Sequence, residues 1–225
     1  MVFKFSGREN LVFLTLALLI LLFLVAVAEQ TAAAWGRGAM QLGFLLVLVV
    51  AIWTVRRSHG VFRSGLGILG FLVLLTAASY SFSTTGVRLL QLASLATLFS
   101  GIAWLTFRQV LFTPGPIDQN RLFGAISIYL LLGIIWAMFY VSVLEVDPDA
   151  FNGADAGPWL ESIPEFVYFS FVSLTTLGYG DISPATPITR YLVYVEAIVG
   201  QLYIAIMIAG LVGAGISHLG DKKRQ

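Results

Sequence analysis

The sequence predicts an all-α membrane protein: six transmembrane helices, with a short re-entrant helix and a non-helical loop between the fifth and the sixth. Three observations carry this. The 225 residues are 58% hydrophobic and only 11% charged, with a mean hydropathy of +0.90, outside the range of water-soluble globular domains. Six apolar stretches approach the roughly 20 residues that a spanning helix needs. The few charges are segregated along the chain rather than mixed.

The six stretches run from Leu11 to Ala28, Ala39 to Val55, Gly65 to Phe82, Leu89 to Phe107, Leu122 to Leu144 and Tyr191 to Ile216. The third is diluted by Gly65, Gly67, Gly70 and Ser81, although glycine is better tolerated in membrane helices than in soluble ones. The first follows Lys4 and Arg8 and ends on Ala26-Val27-Ala28, a pattern shared with signal peptides. Its apolar run is longer than the usual signal core of about 7 to 15 residues, so a retained span is expected. A seventh stretch, Phe166 to Leu177, is too short to cross and reads as re-entrant or interfacial.

With the N-terminus inside, six crossings return the C-terminus inside. The inner segments then hold Lys4, Arg8, Arg56, Arg57, Arg63, Arg108, Arg121, Lys222, Lys223 and Arg224, and the outer ones only Arg37, Arg88 and Arg190. That satisfies the positive-inside bias. The acids Glu145, Asp147, Asp149, Asp155, Glu161, Glu165 and Asp181 all fall between the last two spans, where they would concentrate cations at an outer mouth.

Cysteine is absent and there are two histidines, His59 and His218, so disulfides, thiolate metal sites and cysteine nucleophiles are excluded, and metal catalysis is not expected. No cofactor is implied. A formal charge of +1 without an exposed basic, aromatic surface argues against nucleic acid as a partner; the partner is the lipid bilayer. Thr113-Pro114-Gly115-Pro116 cannot continue a helix and divides the chain into a four-helix module, residues 1–115, and a two-helix module, residues 116–225.

The chemistry concentrates between the last two spans. Ser162-Ile163-Pro164-Glu165 has the form of a helix start, with a serine cap, a proline in the first turn and a glutamate three residues after the serine. The short helix runs into Thr175-Thr176-Leu177-Gly178-Tyr179-Gly180-Asp181. Glycines alternating with bulky residues suit a strand-like backbone with positive φ at every second position, which turns successive carbonyls to one side. At membrane depth such backbone is allowed only where protein covers it or where it lines an aqueous path.

Thr175 to Asp181 resembles the filter loop of the potassium channel family: threonine, a β-branched or aliphatic residue, glycine, tyrosine, glycine and then aspartate, with Leu177 where valine is commoner. The resemblance covers Ile117 to the end of the chain and continues through Pro184 and Arg190 to Gly200, where the family often has an inner-helix hinge. It implies a homotetramer around one axis. It also implies a filter from Thr176 to Gly180, in which the carbonyls of Thr176, Leu177, Gly178 and Tyr179 and the Thr176 hydroxyl replace the water around a potassium ion. Thr175 and Asp181 flank this filter. Tyr168 and Phe169 take the positions of the family's aromatic cuff, with Tyr168 able to donate to Asp181. Val172 stands where some members carry a carboxylate.

Within the sixth span, Glu196 is expensive without a partner or a proton, and the hydroxyls of Ser170 or Ser173 are its expected partners. Two roles are open: a buried support for the filter, or a proton-sensing carboxyl that alters gating. Gln201 follows the hinge and faces the cavity, with Ile204, Ile208 and Val212 below it at helical spacing as a hydrophobic constriction. Gly210, Gly213 and Gly215 near the inner mouth permit close packing or flexing.

Arg88 and Arg108 stand at opposite ends of the fourth span with no charge between them, so the arginine repeat of a voltage sensor is missing. The function expected is passive, potassium-selective permeation without a standard voltage sensor, and no enzymatic activity. The alternative is a non-conducting scaffold or regulatory subunit that keeps the pore fold. The lean chain, without glycosylation or sorting signals, points to a prokaryotic plasma membrane.

Overall fold

The computed structural model describes residues 11–30, 84–112, 119–154, 157 and 159–222, with isolated helical positions between 43 and 50; the side chains of Glu29, Gln30, Ile208 and residues 211–222 are not among those described. The expected second and third spans therefore lie almost wholly outside the described residues, as do the break at Thr113–Pro116, the terminal cations Lys4, Arg8, Lys223 and Arg224, and the side chains of Ile208 and Val212. The described chain is mostly helical. Its elements are α1 (Leu11–Gln30), α2 (Thr85–Phe112), α3 (Gln119–Val146), β1 (Phe151–Asn152), α4 (Trp159–Leu174), β2 (Ser183–Pro184) and α5 (Pro187–Lys222).

Among the described residues four helices are long and apolar enough to cross a membrane: Leu11–Ala28, Thr85–Phe112, Gln119–Val146 and Pro187–Met207. The helices α2, α3 and α5 outrun the apolar windows read from the sequence, because flanking residues such as Arg88, Arg108 and Gln119 continue the backbone ladder without being apolar. α4, at 16 residues, is about 24 Å long and falls short of a bilayer core.

α3 is the centre of the bundle, in contact with α1, α2, α4 and α5. α1 runs parallel to it. The Leu11 amide donates to Asn120 Oδ1 at 2.7 Å, satisfying one of the free amides at the start of α1. One turn on, the Thr15 hydroxyl lies 2.9 Å from the Phe123 carbonyl and 2.8 Å from the Ser127 hydroxyl, and both side chains are buried. Hydroxyls bridging spans in this way supply attraction where lipid removes the hydrophobic drive for helix association. Gly124 lets α1 and α2 approach α3 together: a Cβ there would stand 2.6 Å from both Leu11 and Val110 side chains.

α2 runs antiparallel to α3. At its opposite end Arg88 Nε lies 3.3 Å from Glu145 Oε2, with Glu145 7% exposed. Both charges are plain in the sequence, but their pairing across two spans is not. Breaking the pair leaves a nearly buried carboxylate without its cation. Arg88→Gln is expected to destabilise the protein by on the order of 1–2 kcal/mol, discounted because the arginine itself is partly solvated. Arg88→Gln with Glu145→Gln should cost less than the sum of the single changes in a denaturant-unfolding cycle; strict additivity would show that the pair is not coupled.

Candidate functional site

The site is built on α4 and the loop that follows it. α4 starts at Trp159, three residues before the expected start near Ser162. The serine therefore caps nothing, and its buried hydroxyl has no hydrogen-bond partner. Packing overrides the cap signal: Trp159 and Leu160 add a turn by settling against the core, and Pro164 is accommodated inside the helix, where it lacks the N–H for one i→i−4 bond. Glu161 in the first turn suits the positive end of the helix.

α4 is anchored to α3 by aromatic rings. Phe151, Phe166, Phe169 and Tyr140 meet mostly edge-on, with centroid separations from 4.9 Å (Phe151 to Phe166) to 6.3 Å (Tyr140 to Phe166). Phe169, expected to face the loop as half of an aromatic cuff, is instead buried in this cluster. Helical periodicity explains the correction: one position along α4 turns the side chain about 100°, from the loop toward α3. Tyr168 keeps the outward position, with its ring stacked on Tyr179 at 6.4 Å and 10° and its hydroxyl donating to Asp181 Oδ2 at 2.6 Å.

The C-terminal carbonyls of α4 are taken up by the loop. The amides of Thr175, Thr176, Leu177 and Gly178 donate to the carbonyls of Phe171, Ser173, Val172 and Val172, at 3.0, 3.0, 2.9 and 3.3 Å. Among the described residues no hydrogen bond uses the carbonyls of Thr176, Leu177, Gly178 or Tyr179 as acceptor. The φ angles of Thr176, Gly178 and Gly180 are +58°, +59° and +80°. Every second residue is thus left-handed, and a β-branched threonine holds the first such position, where it is strained. The Gln201 amide reaches the Thr176 hydroxyl at 3.5 Å.

Beyond Asp181 the loop is tied back by a two-residue antiparallel ladder, Phe151 with Pro184 and Asn152 with Ser183, and by the Ala185 amide on the Ala150 carbonyl at 2.9 Å. Gly153, with φ +78°, passes so close to the Asp181 carbonyl that a Cβ has no room. α5 then opens on a reciprocal cap. The Thr189 amide reaches the Thr186 hydroxyl at 3.3 Å and the Thr186 amide the Thr189 hydroxyl at 3.1 Å, with Pro187 at the first helical position. Thr186-Pro187-Ile188-Thr189 carried that signal in the sequence.

α5 crosses the end of α4 at Gly200, where a Cβ would stand 2.5 Å from the Leu174 carbonyl oxygen. One turn earlier Glu196 is fully buried. It receives the Tyr140 hydroxyl from α3 and meets the Ser170 hydroxyl of α4; Ser173, the other expected partner, contributes its carbonyl to the loop instead. Tyr140 was missed because it sits in an apolar run, although a tyrosine hydroxyl buried in a span needs an acceptor and Glu196 is the acid at matching depth. Gln201 and Ile204 are exposed on a different face of α5 from Glu196.

Residues 124–215 match a family model described as "Ion channel". Among curated proteins, "Two-pore potassium channel 5" of Arabidopsis thaliana is 30% identical over 102 residues, 44% of this chain and 22% of that protein. "Two pore potassium channel c" of Oryza sativa subsp. japonica is 33% identical over 84 residues, 37% of this chain and 16% of that protein. The chain therefore spans about a fifth of the length of these relatives. No solved structure matches. The family match takes in most of α3, all of α4 and the loop, and most of α5. The matched part is thus similar to ion channels, and with the apolar helices it fits an integral membrane protein. Among the described residues no group of three or more His, Cys, Asp or Glu is placed to hold a metal ion.

Two outcomes test this geometry. The hydrogen bond from Tyr168 holds the Asp181 carboxyl below the usual carboxylate range, and the same bond pushes the Tyr168 phenol up to about 12. The link is thus complete above the ordinary carboxylate range and is lost as pH falls through the lowered value, or as it rises through about 12. In a carboxyl-carbon NMR titration Tyr168→Phe should raise the Asp181 midpoint; an unmoved midpoint would refute the bond. Gly200→Ala should cost about 1–3 kcal/mol by forcing α5 off the end of α4, read as a lower unfolding midpoint in detergent, whereas unchanged stability would mean that the close approach is not tight.

Proposed function

We propose that the chain is a subunit of a tetrameric, potassium-selective channel that conducts passively, with Thr176 to Gly180 as its filter. The observation that carries this reading is the division of labour in the loop. Amides from Thr175 to Gly178 are committed to α4, while the carbonyls of Thr176, Leu177, Gly178 and Tyr179 are left without acceptor duty on a backbone of alternating handedness. Such a row of oxygens, with the Thr176 hydroxyl, suits a dehydrated monovalent cation. One chain supplies one row, and a closed ring of oxygens requires symmetric copies.

The surface of α5 supports the same assembly. Only 11% of Pro187–Met207 is buried, the least of the four described spans. Tyr191, Tyr194, Ile198 and Leu202 form an exposed stripe on it, and Leu177 and Tyr179 stand exposed beside the loop. Neighbouring subunits would cover these residues. The C-terminal end of each α4 would bring its negative dipole end to the cavity below the filter, which favours a cation. In this reading Gln201 and Ile204 face that cavity, Ile204, Ile208 and Val212 form a constriction that gates by dewetting, and Gly200 serves as a hinge.

Residues 1–115 form a separate module in this reading, with no voltage sensor, since α2 carries charge only at Arg88 and Arg108. Two further spans at 39–55 and 65–82 fit the directions of the helices: α1 runs parallel and α2 antiparallel to α3, so the first ends where the second begins. Both termini then lie on the inner side. The relatives named above are plant proteins.

The test is flux from potassium-loaded liposomes containing the purified protein. Barium-sensitive efflux that is selective for potassium over sodium is expected. Gly178→Ala should abolish the selective flux. The penalty of about 1–2 kcal/mol per chain is conformational, since φ is +59° and a Cβ would meet nothing within 4 Å in the single subunit. Gly86→Ala, in open space on α2, is the control and should conduct normally. Selective flux that survives Gly178→Ala would overturn the filter assignment.

A further inference from the structure

We propose that Glu196 is held in the membrane as the neutral acid and acts as a proton donor in a one-way chain, Glu196 to Ser170 to the Gly133 carbonyl, which positions α4 and the loop it carries. The argument is a count of protons. The Ser170 hydroxyl lies 2.8 Å from the Gly133 carbonyl oxygen and also within hydrogen-bond distance of Glu196 Oε1. A serine hydroxyl has one proton, so it donates to one of these oxygens and accepts from the other. The Gly133 carbonyl has no proton to give. Ser170 therefore donates to Gly133, and the proton between Ser170 and Oε1 belongs to Glu196.

The second carboxyl oxygen completes the chain. Oε2 accepts from the Tyr140 hydroxyl, so every proton of the three side chains has an acceptor. Glu196 is 0% exposed, and among the described residues no cation accompanies it; the groups that meet it are Tyr140 from α3 and Ser170 from α4, with Tyr129 of α3 nearby. A carboxylate there would be a buried charge with no counter-ion, whereas the acid is a neutral group with its hydrogen bonds made.

The chain joins three helices at one point. Gly133 and Tyr140 belong to α3, Ser170 to α4 and Glu196 to α5. Ser170 lies two residues before Val172, whose carbonyl receives the Leu177 and Gly178 amides. A shift of α4 at Ser170 is thus passed to the backbone of the loop. Gly133 also gives the Phe171 ring of α4 its place, since a Cβ would stand 2.6 Å from that ring. Glu196, Ser170 and Tyr140 are positioning residues: none lies on the row of free carbonyls. The consequence for selectivity rests on the reading of the loop as a potassium filter, and the protonation state does not.

The experiment has two arms on the full-length protein in lipid. In infrared difference spectra at neutral pH, the wild type minus Glu196→Gln should contain the carbonyl stretch of a protonated carboxyl. Tyr140→Phe should move that band to higher wavenumber by removing the donor to Oε2. A difference spectrum that shows only a carboxylate, or a band indifferent to Tyr140→Phe, overturns the proposal whether or not the protein conducts. In the flux arm Glu196→Gln, whose amide donates to Ser170 and whose carbonyl accepts from Tyr140, should keep the potassium-over-sodium preference that Glu196→Ala loses. Loss in the glutamine variant equal to that in the alanine variant overturns the positioning role. Absence of selective flux in the wild type would instead count against the channel reading and leave the infrared result standing.

Discussion

The constraint on which the structure turns is that backbone polar groups at membrane depth must find partners inside the protein. A helix meets it by itself; the segment after Leu174 cannot. The solution is that the end of α4 and the loop satisfy each other: α4 has carbonyls left over at its C-terminus, and the loop has amides left over because it is not helical. Once four amides have turned inward, the carbonyls from Thr176 to Tyr179 are left without a backbone donor among the described residues. The row of oxygens is therefore a consequence of capping a half-length helix within a membrane, and alternating left-handed residues are what let the chain keep both sets of groups on their own sides.

That arrangement requires α4 to be held still, and the means differ by depth. Beyond the loop Tyr168 and Asp181, the two-residue ladder and the Thr186–Thr189 cap tie it to α4 and to the start of α5. In the middle the aromatic cluster and the Glu196 network join α4 to α3 and α5. Toward the start of α3 the Tyr203 hydroxyl donates to the Ala125 carbonyl at 2.6 Å and its ring stacks on Tyr129, whose hydroxyl reaches the Leu174 carbonyl. Tyrosines recur because they combine a ring that packs in an apolar interface with a hydroxyl that reaches a backbone or side-chain acceptor.

Much of this was legible in the sequence and some was not, for physical reasons. The four described spans follow from unbroken apolar length, a property of single segments, and the alternating backbone follows from Gly178 and Gly180 in register. The start of α4 was misplaced because a capping motif reports only local hydrogen bonding, while burial of Trp159 and Leu160 is decided by the bundle. Phe169 was misassigned because its face of α4 depends on where α3 lies. Arg88 with Glu145 and Tyr140 with Glu196 are separated by 57 and 56 residues. No short-range pattern encodes such pairs; only the rule that a buried polar group needs a partner at its own depth points to them.

The same rule separates the polar groups left open on the loop from those that hold the fold. Groups on the loop whose hydrogen-bonding capacity is left unspent, the carbonyls from Thr176 to Tyr179, are the ones that the proposed function assigns to a cation. Groups on the helices, such as Thr15 with Ser127 or Glu196 with Tyr140 and Ser170, have their capacity consumed by neighbouring helices. Satisfied polar groups cost little in the membrane and change little; unsatisfied ones are costly unless water or an ion reaches them. The open row of carbonyls is therefore the part of the fold that the single chain leaves unfinished, and the proposed function is the reading that gives those four oxygens partners.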